Sequence, residues 1–243
     1  MYNMKDIEKI ADELVQWIKT TVKDATAKGV VLGISGGVDS AVVAAACKKA
    51  FPDDTLGIIM PCNSRSEDEE DAMLLIESLN IKHKKVVLDN VFESFINEVD
   101  HTYDKMAIAN VKPRLRMTTL YYYGAINGYL VAGTSNKSEL TVGYFTKHGD
   151  SGVDMLPIAS FVKEDVYKLA HYFGIPEKII NKAPSAGLWD NQTDEDEMGI
   201  KYKELDKYIL TGEAKQQVKD KVDLLNYRSS HKRKFPPIFK PSF

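Results

Sequence analysis

Ile7, Ile10, Ala11, Leu14 and Ile18 recur at helical spacing, and they predict a first helix with one apolar face, ending near Gly29. The period then changes. Residues 30–34 form a short apolar, β-branched run, the pattern of a buried strand. Residues 40–50 are a helix of small side chains suited to close packing. Residues 55–60 (TLGIIM) predict a second strand. The SEDE at 66–69 has capping-box spacing and opens a helix through Leu79. Residues 84–89 (KKVVLD) predict a third strand, and 91–111 an irregular helical stretch. Pro113 suits the first turn of a helix reaching Gly128. Residues 129–134 (YLVAGT) predict a fourth strand and 155–159 (MLPIA) a short fifth. Ser160 is the expected cap of a helix that turns Phe161, Val166, Leu169 and Phe173 inward and stops at Gly174 and Pro176. Two helices follow at roughly 195–210 and 213–229, then a basic, proline-rich, extended tail. The polar, glycine-bearing loops 143–154 and 182–193 are the expected mobile segments.

Strands alternating with helices as far as residue 175 imply an α/β fold, a doubly wound parallel sheet of about five strands flanked by helices, with C-terminal helices appended. Ligands of such sheets sit beyond the carboxyl ends of the strands, where loops 33–40 and 134–139 both fall. A chain of 243 residues fits one domain spanning 1–243. Its formal net charge of −3 argues against a nucleic-acid binder. The start of the chain lacks the uninterrupted apolar core of a signal peptide, and no stretch is long and apolar enough to span a bilayer. Two cysteines, Cys47 and Cys62, form no disulfide framework, so a cytoplasmic location is expected.

The candidate chemistry begins with GISGGVDS: Gly33, Ile34, Ser35, Gly36, Gly37, Val38, Asp39 and Ser40. Two glycines let successive N–H groups converge on an anion, and a helix N-terminus follows. A Walker A loop would carry lysine at position 39; aspartate stands there instead. Beside phosphate it needs a cation, and Mg2+ can share a carboxylate with phosphate oxygens. Capping of its own helix is the other role open to Asp39, and the two are compatible. The loop resembles the SGGxDS signature of the N-type ATP pyrophosphatases, which transfer AMP from ATP to a substrate oxygen and release pyrophosphate.

The second signature, GTSNKSE at 133–139, brings Thr134 and Glu139; either alone reads equally well as a polar turn or a helix cap. Together with KPRLRM, FTKHGDSGVD, ASFVKEDV, KAPSAGLW, QTDEDEMGI and HKRK in order along nearly the whole chain, it resembles the ammonia-dependent NAD synthetases. That resemblance implies an adenine nucleotide α-hydrolase-like fold. It implies that residues 33–40, Thr134, Lys163 and Ser185 bind ATP, serine replacing the threonine common in the family. It implies that Asp39 and Glu139 hold Mg2+, and that Arg114, Lys147, Asp154, His231 and Lys232 contact deamido-NAD. Asp39, Glu139, Lys163 and Lys147 are the implied catalytic set. The residues agree in part. An arginine suits pyrophosphate or carboxylate, although Arg114 or Arg116 alone reads as readily as a solvated helix face. Lys163 lies in the first turn of its helix, where a cation is unfavourable unless an anion is near or its tail reaches water.

The expected reaction is ATP-dependent amidation of deamido-NAD through an adenylated nicotinate. Ammonia is the expected donor, because no glutaminase domain or cysteine–histidine pair is evident. The partners expected are small molecules and a second copy of the chain, with no nucleic acid and no membrane. The apolar row Leu120, Tyr121, Tyr122 and Tyr123 suits a homodimer interface or full burial within one subunit. Rival readings are another adenylating enzyme of the superfamily and a nucleotide sensor without turnover.

Overall fold

The computed structural model describes residues 4–185, 187 and 193–242. Helix α1 (Met4–Asp24) lays Ile7, Ala11, Leu14, Ile18 and Val22 on the core, as its periodicity requires. Then come β1 (Gly29–Gly33), α2 (Val38–Ala50), β2 (Thr55–Ile59), α3 (Ser66–Leu79) and β3 (Lys82–Lys85). Helices α4 (Asp89–Glu98), α5 (Lys105–Ala109) and α6 (Val111–Asn127) lead to β4 (Tyr129–Val131). After it lie α7 (Lys137–Val142), α8 (Lys163–Tyr172) and α9 (Glu177–Ile180). The described chain closes with α10 (Asp194–Met198), α11 (Tyr202–Thr211), α12 (Gln216–Arg228) and a 3-10 turn at Ser230–Lys232.

The four strands are parallel, in the order β3-β2-β1-β4. Along β1, Val30 and Leu32 join the larger core under α1, α2 and α8, while Val31 joins a second core with Leu88, Phe92 and Leu120. Alternate side chains thus serve opposite faces, so a central parallel strand must be apolar throughout. Helix α2 is buried on nearly every side, which explains its run of alanines. A third, smaller core joins Val142 of α7 to Met198, Leu205 and Val222 of the C-terminal helices. The chain leaves β1 toward β2 on one side and returns to β4 on the other. The crevice at that reversal lies beyond the ends of β1 and β4.

Several expectations change in the folded chain. The fifth strand shrinks to one parallel bridge, Ala132 to Met155, because the chain turns at once through residues 156–161. Strand β3 begins two residues and ends four residues earlier than expected, on an edge where exposed lysines are tolerated. The SEDE capping box does not form: Arg65 is the N-cap of α3 and makes no side-chain cap bond. Ser160 does not cap α8, whose N-cap is Val162. The helix expected at 195–210 is two, separated at Gly199, which takes φ +59° as the C-cap of α10. Residues 186 and 188–192 of the expected mobile loop 182–193 lie outside the described residues.

Candidate active site

The loop after β1 is stitched by its own hydroxyls. Ser40 Oγ donates to the Gly37 carbonyl at 2.9 Å and accepts from the Ser35 N–H at 3.3 Å, while Ser35 Oγ accepts from the Gly37 N–H at 3.3 Å. Gly36 has φ +76°, and a Cβ there would lie 2.8 Å from the Asp68 carbonyl oxygen. Glycine is therefore required twice over, by conformation and by space. Gly37 is the N-cap of α2, so Asp39 is not a cap. Its carboxylate turns toward the loop after β4.

That loop ends in a capping box at the start of α7: Asn136 Oδ1 accepts from the Glu139 N–H at 3.0 Å, and Glu139 Oε2 accepts from the Asn136 N–H at 3.2 Å. The same Asn136 donates from Nδ2 to Asp39 Oδ1 at 2.9 Å, joining the two loops. Lys163, the first residue of α8, completes the junction. Its side chain is 2% exposed, and Nζ lies 2.5 Å from Asp39 Oδ2 and 3.6 Å from Glu139 Oε1. The anions that make a lysine tolerable at this helix start are thus carboxylates of the chain itself. Tyr202 from α11 places its ring 4.9 Å from Nζ and donates its hydroxyl to Asp194 Oδ2 at 3.0 Å.

The electrostatics follow from crowding. Burial pushes the Glu139 carboxyl up to about 8, the negative charge of Asp39 adds to this, and Lys163 opposes it. Burial alone would lower Lys163, but Asp39 and Glu139 outweigh it and hold the ammonium above the ordinary lysine range. Asp194 is also raised, chiefly by burial. Two carboxyl groups from separate strand ends therefore flank one cation, and both offer only hard oxygen donors. That donor set fits a small divalent ion sharing its remaining positions with phosphate. Among the described residues no three His, Cys, Asp or Glu side chains converge into a fuller metal-holding group.

A cleft of about 410 Å³ opens over this junction. Gly33, Ile34, Ser35, Gly37, Val38, Asp39, Ser40, Thr134, Glu139, Lys163, Ser185 and Lys232 line it; Gly36 turns away to pack on α3. The remaining predicted residues do not line it. Arg114 donates to the Lys147 carbonyl at 3.3 Å and Lys147 Nζ to the His231 carbonyl at 3.1 Å, so these three form a separate cluster. Lys232 Nζ connects that cluster to the cleft through the Gly143 and Phe145 carbonyls at 2.9 and 2.8 Å. Asp154 lies elsewhere, accepting from Tyr121 Oη at 3.0 Å and from the Val131 N–H at 2.8 Å. Tyr121 in turn lines a second, shallower cleft with Gly124, Tyr129 and Leu130.

The site also includes groups outside the predicted set, among them Arg116, named beside Arg114 in the sequence only as a candidate solvated face. Arg116 lines the cleft, anchored by donation to the Met60 carbonyl and Ser64 Oγ, both at 3.2 Å. Lys182 lines it too, held by Asp68 at 2.8 Å and Asp71 at 2.5 Å. Asn136 carried a legible signal, since Asn followed three residues later by Glu is a helix-start pattern. Asp194 and Tyr202 carried none, because nothing local in residues 193–202 says that they reach α7. Both cysteines are buried, and burial pushes the Cys47 thiol up to about 12 and raises Cys62, so neither is an activated nucleophile.

A model of the NAD synthase family matches residues 10–238. The chain is 52% identical over 235 residues to the NH(3)-dependent NAD(+) synthetase of Carboxydothermus hydrogenoformans, covering 95% of this chain and 97% of that one. Among solved structures, an NMN synthetase from Francisella tularensis superposes with a TM-score of 0.93 at 36% identity, covering both chains completely. An NH3-dependent NAD synthetase from Campylobacter jejuni, solved with a nitrate ion, superposes at 0.80 with 33% identity over 96% of this chain and 99% of its own. The parallel sheet, the glycine loop and the match along almost the full length agree: the chain belongs to the NAD synthase family.

Proposed function

We propose that the chain amidates deamido-NAD with ammonia, using ATP, and yields NAD, AMP and pyrophosphate. The observation that carries the reading is the meeting of Asp39 and Glu139, from loops after different strands, on the buried ammonium of Lys163. The nicotinate carboxylate attacks the α-phosphorus and pyrophosphate leaves. Ammonia then attacks the adenylated carbonyl, AMP leaves, and the extra proton passes to water. A free carboxylate resists this attack because hydroxide is a poor leaving group; adenylation supplies a good one.

In this reading the loop 33–40 cradles the phosphates with N–H groups and the hydroxyls of Ser35 and Ser40. Thr134 and Ser185, which also line the cleft, contact the nucleotide. Asp39 and Glu139 would hold Mg2+, which when bound neutralises charge on the phosphates. Lys163 keeps the two carboxylates together and offers a positive charge to the transferring phosphoryl group. Arg114, Lys147, Asp154, His231 and Lys232 bind deamido-NAD. Their spread over the cleft, the cluster beside it and the Tyr121 surface suits an extended dinucleotide better than a compact acceptor. Tyr122 and Ile126 stand exposed on α6, in keeping with a homodimer. No described helix is long and apolar enough to cross a membrane, in keeping with action in the cytoplasm.

The likeness to an NMN synthetase favours a second reading, in which the acceptor is the nicotinate mononucleotide. One assay separates the two. The purified chain is given ATP, Mg2+, ammonium and either acceptor, and AMP, NAD and NMN are measured. The proposal expects deamido-NAD to be the better acceptor by kcat/KM and glutamine to be a far poorer donor than ammonium. AMP formation that no acceptor stimulates would remove both readings.

A further inference from the structure

Tyr202 reaches the acidic pair from outside the sheet, and none of the roles above uses it. Its ring is fixed in the small C-terminal core with Val142, Leu205 and Val222. Its hydroxyl nevertheless faces two carboxylates, Asp194 Oδ2 at 3.0 Å and Glu139 Oε1 at 3.4 Å. A phenol has one proton, so when both carboxyls are ionised, as a bound cation requires, they share one donor. Glu139 Oε2 is already held by the Asn136 N–H at 3.2 Å, and Oε1 otherwise faces Lys163 Nζ at 3.6 Å. The tyrosine hydroxyl therefore sits where it sets the rotation of the Glu139 carboxylate.

One turn further along α11, Asp206 repeats the theme. Residues four apart share a helix face. Asp206 accepts from Ser138 Oγ at 2.5 Å and from the Glu164 N–H at 2.9 Å. It thereby ties α7, which carries Glu139, to the start of α8, which carries Lys163. One face of α11 thus braces the junction both through the scaffold and at the carboxylate.

We propose that Tyr202 is a positioning residue whose hydroxyl orients Glu139 toward Asp39 and so sets the affinity of the pair for a divalent cation. The inference rests on the reading of Asp39 and Glu139 as cation ligands. Its test uses the full chain with Mn2+ as probe, titrated by electron paramagnetic resonance in the presence of a non-hydrolysable ATP analogue. The Mg2+ dependence of turnover is measured alongside. Tyr202→Phe keeps the ring and its contact with Lys163. It is expected to weaken Mn2+ binding about tenfold and to raise the Mg2+ needed for half-maximal rate by a similar factor. At saturating Mg2+ most of the parent kcat returns, which a merely structural defect would not allow. Tyr208→Phe, the same change further along α11 where the hydroxyl meets Asp223 instead, is expected to leave Mn2+ affinity unchanged.

Mn2+ affinity within about twofold of the parent in folded Tyr202→Phe overturns the assignment, as does a rate loss that Mg2+ cannot restore. Glu139→Gln separates the two levels. If it weakens Mn2+ binding and Tyr202→Phe does not, only the Tyr202 assignment falls. If Glu139→Gln itself binds Mn2+ like the parent, the ligand reading fails and the assignment falls with it. Should Tyr202→Phe not fold, 3-fluorotyrosine at position 202 makes the hydroxyl a stronger donor with a one-atom change. The Mg2+ requirement must then move from that of the parent, and an unmoved value overturns the assignment.

Discussion

Glu139→Gln in the absence of divalent cations tests the electrostatics of the site directly. Glutamine is nearly isosteric and can still accept from the Asn136 N–H, so the capping box of α7 survives. The change removes the ability to carry charge and turns an amide NH2, in place of Oε1, toward Lys163 and Tyr202. Burial and Asp39 raise the Glu139 carboxyl from an ordinary 4.5 to about 8 in the folded chain. A carboxyl raised on folding contributes stability that is full below its unfolded value and is lost as pH rises through its folded value. The gap from 4.5 to about 8, at about 1.4 kcal/mol for each factor of ten, sets a ceiling of about 5 kcal/mol. Urea unfolding in chelator from pH 5 to pH 9 reads this out. Parent and variant are expected to be alike near pH 5. The parent then falls behind as pH rises, levels off above about 8, and ends about 2 to 5 kcal/mol less stable. Mg2+ added at high pH closes the gap by stabilising the parent alone. A gap constant within about 0.5 kcal/mol across the range would show that Glu139 does not titrate as a buried, crowded acid.

Gly36→Ala places a methyl group 2.8 Å from the Asp68 carbonyl oxygen in left-handed backbone; it should cost at least about 1 kcal/mol in urea unfolding and weaken ATP binding in calorimetry. Asp206→Ala removes the acceptor of one buried and one part-buried donor and should cost about 2 to 4 kcal/mol, while Asp206→Asn, which keeps one acceptor, should cost about half as much in the same melts. Burial alone would raise Asp71, but Lys178 at 2.7 Å and Lys182 at 2.5 Å outweigh it, so its carboxyl titrates below the ordinary range. Its stabilisation is present above the ordinary 3.8 and is lost as pH falls through the lower folded value. Asp71→Asn should therefore flatten acid unfolding below about pH 4, monitored by circular dichroism.

Much of this protein was legible in its residue order. The 3.6-residue period placed α1, short apolar runs placed β1, β2 and β4, and Pro113 placed the start of α6, each to within a few residues, because a buried face must be apolar and proline suits a first turn. The double glycine between strand and helix marked a turn with left-handed backbone, taken by Gly36, and Asp39 within it called for a cation, which in the folded chain is the ammonium of Lys163; both needs are local. A lysine opening α8 announced a nearby anion for the same reason.

What the residue order could not state was which distant groups would meet. Ser160 looked like the cap of α8, yet the N–H groups there are taken by Ser138 and Asp206, from α7 and α11. The run at 155–159 has strand composition but turns away after a single bridge. The candidate dinucleotide residues, drawn from three separate motifs, divide among the cleft, the Arg114 cluster and the Tyr121 surface. Tyr202 and Asp194 join the acidic pair with no local signature at all. Backbone conformation is decided by neighbours in sequence, so glycines, caps and periods can be read from the chain. Partners for buried charge and hydrogen bonds are decided by which surfaces pack together, and only the folded chain brings those surfaces into contact.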